Sequence, residues 1–252
     1  MTVSKTAIVT GGASGIGLAT SLLLLREGWR VVAADRDPKA LDGARGTLGT
    51  GPDQLRMVEL DVTNEGAIDS LIADVVSTFG PIGGVVNSAG TGRDVPFFDT
   101  TADLLRQLYE VNVVGAFLVS RAASLAMKES GGGAIVNIAS VSGMRGNIGR
   151  TAYGASKGAV IAMTQVMAVE MAQHAIRVNS IAPGPIETPL VGVVHTPQVR
   201  EGWHRTVPMR RYGRAEEVAS TISFLLDDRQ SSYVTGQVLA VDGGFTTSGL
   251  LA

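Results

Sequence analysis

The sequence predicts an α/β fold in which a doubly wound, seven-stranded parallel sheet is flanked by helices. Two observations predict it. Short β-branched apolar runs recur seven times along the 252 residues, and longer stretches with helical periodicity lie between them. This alternation is typical of βαβ units, which build one parallel sheet. Because composition does not shift along the chain, we predict a single domain over residues 1–252.

The predicted strands are four to six residues long and rich in Val, Ile and Ala. They are Ala7–Thr10, Arg30–Ala34, Leu55–Leu60, Gly84–Asn87, Ala134–Ala139, Ile176–Ile181 and Gln237–Val241. The predicted helices include Ile16–Glu27, Ala67–Phe79, Ala102–Lys128, Ala152–Gln173 and Ala215–Leu226. The segment at about 184–212 is rich in proline and has little periodicity, which predicts an irregular substrate loop or lid.

Composition excludes several classes of function. A net charge of −2 provides no basic surface, so we expect neither nucleic acid nor a membrane as partner. The chain has no cysteine, hence no thiol nucleophile and no thiolate metal site, and its three histidines lack metal-ligand spacing. A strand begins within a few residues of Met1, and no apolar run approaches the roughly 20 residues of a membrane span. We predict a cytoplasmic protein without a bound metal.

A glycine-rich stretch, TGGASGIG at 10–17, joins the first strand to the first helix. A helix N-terminus exposes unpaired N–H groups, and glycine lets a pyrophosphate approach the backbone closely. The phosphate loop of nucleoside triphosphatases is excluded because no lysine follows the glycines. The stretch is therefore either a dinucleotide-binding loop or a flexible turn without a ligand.

Asp35 ends the second strand, 18 residues after Gly17. In dinucleotide-binding folds an acidic residue at about this distance binds the ribose hydroxyls of the adenosine. Its carboxylate would repel a 2′-phosphate, and Ser14 offers that phosphate no charge, so NAD is favoured over NADP. Arg36 keeps NADP open, since a guanidinium can contact a phosphate. Without a ligand, Asp35 would be a solvated carboxylate at a strand end.

Three motifs occur together in order: TGGASGIG, NSAG at 87–90 and YGASK at 153–157. With them the chain resembles the short-chain dehydrogenase/reductase family, whose glycine motif is T-G-x-x-x-G-x-G. The resemblance extends from Thr6 to about Gly244 and implies a Rossmann-type fold. Ser88 stands where the family more often has asparagine. The family pattern assigns the catalytic roles to Asn112, Ser140, Tyr153 and Lys157.

Tyr153 and Lys157 are four residues apart, so they share one face of a helix. A phenol has a pKa of about 10, and a nearby ammonium favours the phenolate. The resemblance implies that Tyr153 exchanges a proton with the substrate oxygen, Ser140 orients that oxygen, and Asn112 binds a water that connects Lys157 to solvent. Each residue also has an ordinary structural interpretation, such as a lysine whose stem packs along a helix.

The resemblance extends the cofactor site along the chain. It implies contacts with the adenine, the middle of the cofactor and the carboxamide, although Thr188 could equally be a helix N-cap. The predicted cofactor residues are Gly11, Ser14, Gly15, Ile16, Gly17, Asp35, Arg36, Asp61, Val62, Asn87, Ala89, Gly90, Tyr153, Lys157, Pro183, Gly184, Ile186 and Thr188. The predicted substrate residues are Ser140, Ser142, Asn147, Tyr153, Pro185 and Trp203, with Arg93, Gly143, Leu190 and Phe245 as neighbours of these motifs.

The leading functional hypothesis is NAD-dependent interconversion of a secondary alcohol and its ketone, on a polyol, sugar or hydroxy acid. The alternative is a reductase of 3-oxoacyl thioesters of acyl carrier protein or coenzyme A, suggested by the loop Gly92–Asp94. Asp35 argues against it, as does His174, which stands where many carrier-docking relatives have arginine. A dinucleotide sensor without turnover is a third hypothesis. The resemblance also implies a homo-oligomer, with a tetramer as the leading form.

Overall fold

The computed structural model describes residues 5–49 and 51–249 and has a seven-stranded, all-parallel sheet. The sheet strands are β1 (Thr6–Thr10), β2 (Arg30–Asp35), β3 (Leu55–Glu59), β4 (Ile82–Asn87), β5 (Gly133–Ile138), β6 (Ile176–Pro183) and β9 (Val238–Val241). They occur in the sheet in the order β3-β2-β1-β4-β5-β6-β9. Each predicted strand is present, with bounds that differ by at most two residues, and the predicted fold class is confirmed.

Helices cover both faces of the sheet because side chains along each strand alternate in direction. In β1, Ile8 belongs to one apolar core, whereas Ala7 and Val9 belong to the other. The major helices are α1 (Gly15–Arg26), α2 (Pro38–Leu48), α3 (Glu65–Thr78), α4 (Ala102–Tyr109), α5 (Ala116–Glu129), α6 (Thr151–Met171) and α9 (Ala215–Leu226). Helices α3, α5 and α6 contribute to the core that contains Ile8, and α1, α2 and α9 contribute to the other.

The strand order reverses between β1 and β4, which are neighbours although β2 and β3 lie between them in sequence. In doubly wound sheets, ligands bind at such a switch point, beyond the carboxyl ends of the strands. Thr10 ends β1 and Asn87 ends β4, so the two glycine-containing loops that follow are adjacent. The topology alone therefore locates the candidate site.

The segment at 184–212 differs from its prediction as an irregular loop. It contains β7 (Ile186–Glu187), α7 (Pro189–Val194) and α8 (Pro197–Thr206), and β7 pairs with β8 (Gly213–Arg214). Each of the two helices begins with a threonine N-cap followed by proline. Thr188 and Thr196 accept hydrogen bonds from backbone N–H groups in the first turns of α7 and α8. The short helix α10 (Asp228–Ser231) precedes β9. Proline here starts helices instead of breaking them.

The predicted helix Ala102–Lys128 is interrupted. A π-helical turn, Glu110–Gly115, separates α4 from α5. The whole stretch Ala102–Glu129 is long and apolar enough to span a membrane, with a mean hydropathy of 1.3, but half of the most apolar window is buried inside the protein. Its apolar character is therefore that of a core helix.

Candidate active site

A cleft of about 520 Å³, here called the main cleft, lies beyond the carboxyl ends of the strands at the switch point. Sixteen of the predicted cofactor residues line it; Gly17 and Asn87 do not. The sixteen are Gly11, Ser14, Gly15, Ile16, Asp35, Arg36, Asp61, Val62, Ala89, Gly90, Tyr153, Lys157, Pro183, Gly184, Ile186 and Thr188.

Glycine is required at two positions of the loop before α1. Gly11 has a φ of +63°, and a Cβ there would lie 2.9 Å from the backbone nitrogen of Ala89. A Cβ on Gly17 would lie 2.1 Å from the carbonyl oxygen of Gly11. Gly17 therefore lets the helix pack against its own loop, which is a structural role beside the main cleft. Because Ser14 makes no side-chain cap, the first turn of α1 presents its N–H groups at the cleft.

Asp35 is held in place by the glycine loop. Its Oδ2 accepts a 3.4 Å hydrogen bond from the backbone of Ala13, and Oδ1 accepts one of 3.1 Å from Asp37. The carboxylate therefore lies at the main cleft next to Arg36. At the same end, hydrogen bonds from the backbone and hydroxyl of Thr63 lower the pKa of Asp61, which keeps that carboxyl ionised.

Asn87 lies behind the main cleft, in the interior. Its Nδ2 donates to Ser120 Oγ and to Asn137 Oδ1, each at 2.8 Å, and Asn137 Nδ2 donates to Thr164 at 2.9 Å. This buried polar chain joins β4 and β5 to the helices α5 and α6. Thr188 caps α7 and also lines the cleft, and its contact with the carboxamide stays a prediction.

Ser140, Tyr153 and Lys157 converge at the end of the main cleft where β5 meets α6. Ser140 follows β5 and forms a hydrogen bond with Tyr153. Lys157 is only 6% exposed, and its Nζ donates a 2.7 Å hydrogen bond to the carbonyl of Ile138. Burial lowers the pKa of Lys157 to about 8. The arrangement places the Tyr153 phenol near both a hydroxyl and a buried amine.

The pKa of Tyr153 is shifted upward, whereas the sequence predicted a downward shift. Burial raises this pKa, and the Ser140 hydrogen bond and the charge of Arg150 offset only part of the rise. Lys157 Nζ lies 5.9 Å from the centre of the Tyr153 ring and donates a hydrogen bond to Ile138, and its charge is not among the causes of the Tyr153 pKa shift. The predicted lowering by the neighbouring ammonium is therefore not found within the protein alone.

A smaller pocket of about 80 Å³, here called the side pocket, shares Ser140 and Tyr153 with the main cleft. Three of the predicted substrate residues, Ser142, Pro185 and Trp203, line it. Asn147 does not, but its Nδ2 donates to Ser142 Oγ at 3.3 Å.

The remaining neighbours predicted for the substrate site are dispersed. Gly143 packs against the backbone of Lys157, Phe245 packs on Trp203 with ring centres 4.9 Å apart, and Arg93 lines a separate groove with Arg36. The side chain of Leu190 lies outside the described residues.

Comparison with known proteins decides the family. A family model described as enoyl-(acyl carrier protein) reductase matches residues 11–246. The chain belongs to the short-chain dehydrogenase/reductase family. It is 40% identical to a 3-oxoacyl-[acyl-carrier-protein] reductase of Thermotoga maritima, over 95% of this chain and 97% of that protein. It is 37% identical to carbonyl reductase family member 4 of Xenopus tropicalis, over 96% and 98%.

A solved short-chain type dehydrogenase/reductase from Mycobacterium ulcerans superimposes with a TM-score of 0.91 at 34% identity, covering 96% of this chain and 90% of that one. As a short-chain dehydrogenase/reductase, the protein is an enzyme that acts on hydroxyl or keto groups with a nicotinamide dinucleotide.

Asn112 lies in the π-helical turn of this short-chain dehydrogenase/reductase and is buried. Its Oδ1 accepts from the backbone N–H of Thr91 at 2.8 Å, and its Nδ2 donates to the Thr91 carbonyl and to Ser156 Oγ. Both amide protons are therefore used to join the loop after β4 to α6. The predicted binding of a water by Asn112 stays a prediction.

The sequence reasoning missed two ionisable residues of the side pocket, Arg150 and His195. Arg150 immediately precedes α6, three residues before Tyr153, and that spacing was a usable signal because i and i+3 share a helix face. His195 ends α7, and its place in the site depends on how that helix packs. No short motif in the sequence carries that information.

Proposed function

We propose that the enzyme interconverts a 3-oxoacyl thioester and the corresponding 3-hydroxyacyl thioester, with NAD(H) as cofactor. The observation that carries the thioester assignment is the similarity, along nearly the whole chain, to proteins named 3-oxoacyl-[acyl-carrier-protein] reductase in Thermotoga, Synechocystis and rodents. This favours the alternative from the sequence over the polyol, sugar or hydroxy-acid hypothesis.

The residues of the main cleft fit a dinucleotide. The N–H groups at the start of α1 would hold the pyrophosphate, and the Asp35 carboxylate would bind the adenosine ribose. Lys157 would bind the nicotinamide ribose. Gly11 lies against the backbone of Ala89, so residue 11 adds no side chain to the main cleft beside the glycine loop.

The catalytic proposal assigns one task to each of three side chains. The nicotinamide, when bound, supplies or accepts the hydride. Ser140 donates a hydrogen bond to the substrate oxygen and orients it beside Tyr153. Tyr153 gives its proton to that oxygen in reduction and takes it back in oxidation. The Lys157 ammonium stabilises the phenolate that forms when Tyr153 has given up its proton.

A substrate panel tests the thioester assignment. We expect kcat/KM for acetoacetyl-CoA to exceed that of every polyol, sugar and hydroxy acid tested by about tenfold or more, because site contacts to substrate polar groups discriminate at this scale. The same assay with both cofactors tests Asp35: we expect NADH to be preferred over NADPH by about tenfold, since the carboxylate repels a 2′-phosphate.

The second candidate is a dehydrogenase of small polar secondary alcohols. The polar side chains around the small side pocket, including Ser142 and His195, favour it. Rapid NAD reduction by a polyol or hydroxy acid, without turnover of the thioester, would establish this candidate and reject the first. The cytoplasmic location stays a prediction of the sequence.

We also propose that the enzyme is a homo-oligomer, with a tetramer as the leading form. Large apolar side chains are exposed on α5 and α6, including Leu125 at 61%, Val166 at 57% and Val169 at 80%. A second copy that covers these faces would remove that apolar surface from water. Sedimentation velocity is expected to give a mass near four chains, and a monomeric mass would contradict the proposal.

A further inference from the structure

A charged cluster stands next to the candidate catalytic tyrosine. The guanidinium carbon of Arg150 lies 5.2 Å from the centre of the Tyr153 ring. Arg150 Nε lies 2.8 Å from Asp94 Oδ1, and Nη2 lies 3.0 Å from His195 Nε2. The Arg150 side chain is only 14% exposed. Three separate segments of the chain therefore meet at one guanidinium.

The protonation of His195 follows from its partners. An arginine has only N–H donors, so His195 Nε2 must accept from Arg150. The other ring nitrogen, Nδ1, then carries the proton and donates to Tyr212 Oη at 2.9 Å. Burial and the Arg150 charge lower the pKa of His195, in agreement with this neutral form. Arg150 is consequently the positive charge of the cluster, and Asp94 is its counter-ion.

Arg150 has hydrogen-bonding capacity beyond these two partners. A guanidinium has five N–H donors, and Asp94 and His195 face only Nε and Nη2. Within the part of the chain that the structure describes, no hydrogen bond from Arg150 Nη1 is formed. Nη1 is therefore free to donate to a ligand, and hydrogen bonds between a guanidinium and a substrate oxygen are favourable. Arg150 lines the side pocket together with Ser140 and Tyr153, where a substrate could provide one.

We propose that Arg150 binds a second oxygen of the substrate, next to the reacting oxygen that Ser140 and Tyr153 hold. The group recognised is a carbonyl or carboxylate oxygen two carbons from the reacting carbon. Arg150 is thereby a specificity-determining residue, and the enzyme selects 1,3-dioxygenated substrates over simple ketones. The position of the reacting oxygen rests on the proposed function.

His195 and Asp94 act as positioning residues in this arrangement. Asp94 fixes one edge of the guanidinium, and His195 fixes Nη2 from the end of α7. His195 also stacks near Trp203, with ring centres 6.3 Å apart, so the lid segment and the catalytic helix are joined through Arg150. The guanidinium is held in one orientation before any substrate arrives, which reduces the entropic cost of binding.

The test compares substrates that differ by one oxygen. We expect Arg150→Met to lower kcat/KM for pentane-2,4-dione by about 10- to 100-fold, and for pentan-2-one by less than about threefold, because only the dione uses the guanidinium. Equal losses on the two ketones, or no loss on either, would overturn the proposal. Acetoacetate and acetoacetyl-CoA serve as further arms: a larger loss on the acid assigns the site to a carboxylate, and a larger loss on the thioester assigns it to the thioester carbonyl.

Matched variants separate recognition from folding. Arg93→Met removes an arginine from the neighbouring loop, outside the side pocket. We expect it to leave unchanged the dione-to-ketone ratio, which is kcat/KM for pentane-2,4-dione divided by kcat/KM for pentan-2-one. The double variant Arg150→Met with Asp94→Asn removes both charges, so no carboxylate is left without its partner. We expect its dione-to-ketone ratio to fall as far as that of the single variant. Arg150→Lys keeps the charge but not the planar fork and should retain an intermediate ratio.

Failure of this inference and failure of the proposed function give different results. A wild-type enzyme that prefers pentane-2,4-dione to pentan-2-one but does not reduce acetoacetyl-CoA rejects the thioester function and supports the role of Arg150. A preference that survives Arg150→Met rejects the role of Arg150, whether or not acetoacetyl-CoA is reduced.

Discussion

Replacing Tyr153 with phenylalanine is expected to lower kcat by about 10²- to 10⁴-fold in both directions of the reaction, which is the range typical of a lost general acid or base. The variant keeps the ring that packs against Gly92 and under the Arg150 guanidinium. It removes only the hydroxyl, which hydrogen-bonds to Ser140 and which we propose exchanges the proton. Steady-state reduction of the best ketone in the substrate panel measures the effect.

The same variant should bind cofactor normally. We expect the NADH dissociation constant, measured by fluorescence titration, to change by less than about threefold, because the N-terminus of α1 and Asp35 are untouched. Tyr212→Phe is the matched control, since that tyrosine also has a buried ring and its hydroxyl accepts a hydrogen bond from His195. We expect less than about a tenfold loss for it. Full activity of Tyr153→Phe would reject the catalytic proposal.

Local spacing explains why much of the site could be predicted from the sequence. Tyr153 and Lys157 are one helical turn apart, so a helix is sufficient to align them. The glycine loop and Asp35 are separated only by α1 and β2, and β1 pairs directly with β2. Interactions of this kind depend on one βαβ unit. These interactions can be predicted from the sequence because the geometry of a βαβ unit is nearly the same in every parallel sheet.

The parts that could not be predicted depend on contacts between distant segments. Arg150 lies 45 residues from His195 in sequence, and their contact depends on the packing of α7. The π-helical turn at Asn112 is another case. Its sequence, EVNVVG, carries no local signal for a π-helical turn, and in the structure Gly115 packs on Val62 and Asn112 bonds to Thr91 there. Propensity does not encode such contacts.

The upward shift of the Tyr153 pKa is a further feature that could not be predicted, because it too depends on contacts with distant segments. Sequence proximity correctly suggests that Lys157 is near the phenol. It does not reveal that Lys157 donates a hydrogen bond to the Ile138 carbonyl, or that burial outweighs the nearby charges in setting the pKa of Tyr153. Whether two neighbours on a helix interact directly depends on the elements that pack against them, here the end of β5.

Replacing Lys157 with methionine is expected to have two opposite effects, loss of activity and gain of stability. Lys157 is 6% exposed, and burial lowers its pKa from 10.5 to about 8. The difference corresponds to about 3 kcal/mol by which charging this lysine destabilises the folded enzyme at neutral pH. Methionine fills the space of the aliphatic stem without a charge. Loss of the hydrogen bond to Ile138 offsets part of the gain, so we expect a net increase of about 1–2 kcal/mol in the free energy of unfolding.

The pH dependence distinguishes this cause from better packing alone. Below pH 8 both folded and unfolded chains hold the proton, and the full cost of the buried charge applies. Between pH 8 and 10.5 the unfolded chain still holds the proton while the folded enzyme has released it, so the wild type regains stability as the pH rises. Urea unfolding should therefore show a larger advantage for Lys157→Met at pH 7 than at pH 10.

Lys128→Met is the matched control for that experiment, because Lys128 lies exposed in the last turn of α5. We expect its stability to stay within about 0.5 kcal/mol of the wild type at both pH values. A Lys157→Met enzyme that is less stable than the wild type at pH 7 would contradict the conclusion that burying the charged amine destabilises the folded enzyme. A stabilised but inactive variant would mean that the protein keeps a destabilising charge at this position for the sake of catalysis, because an uncharged side chain of similar size packs there at lower free energy.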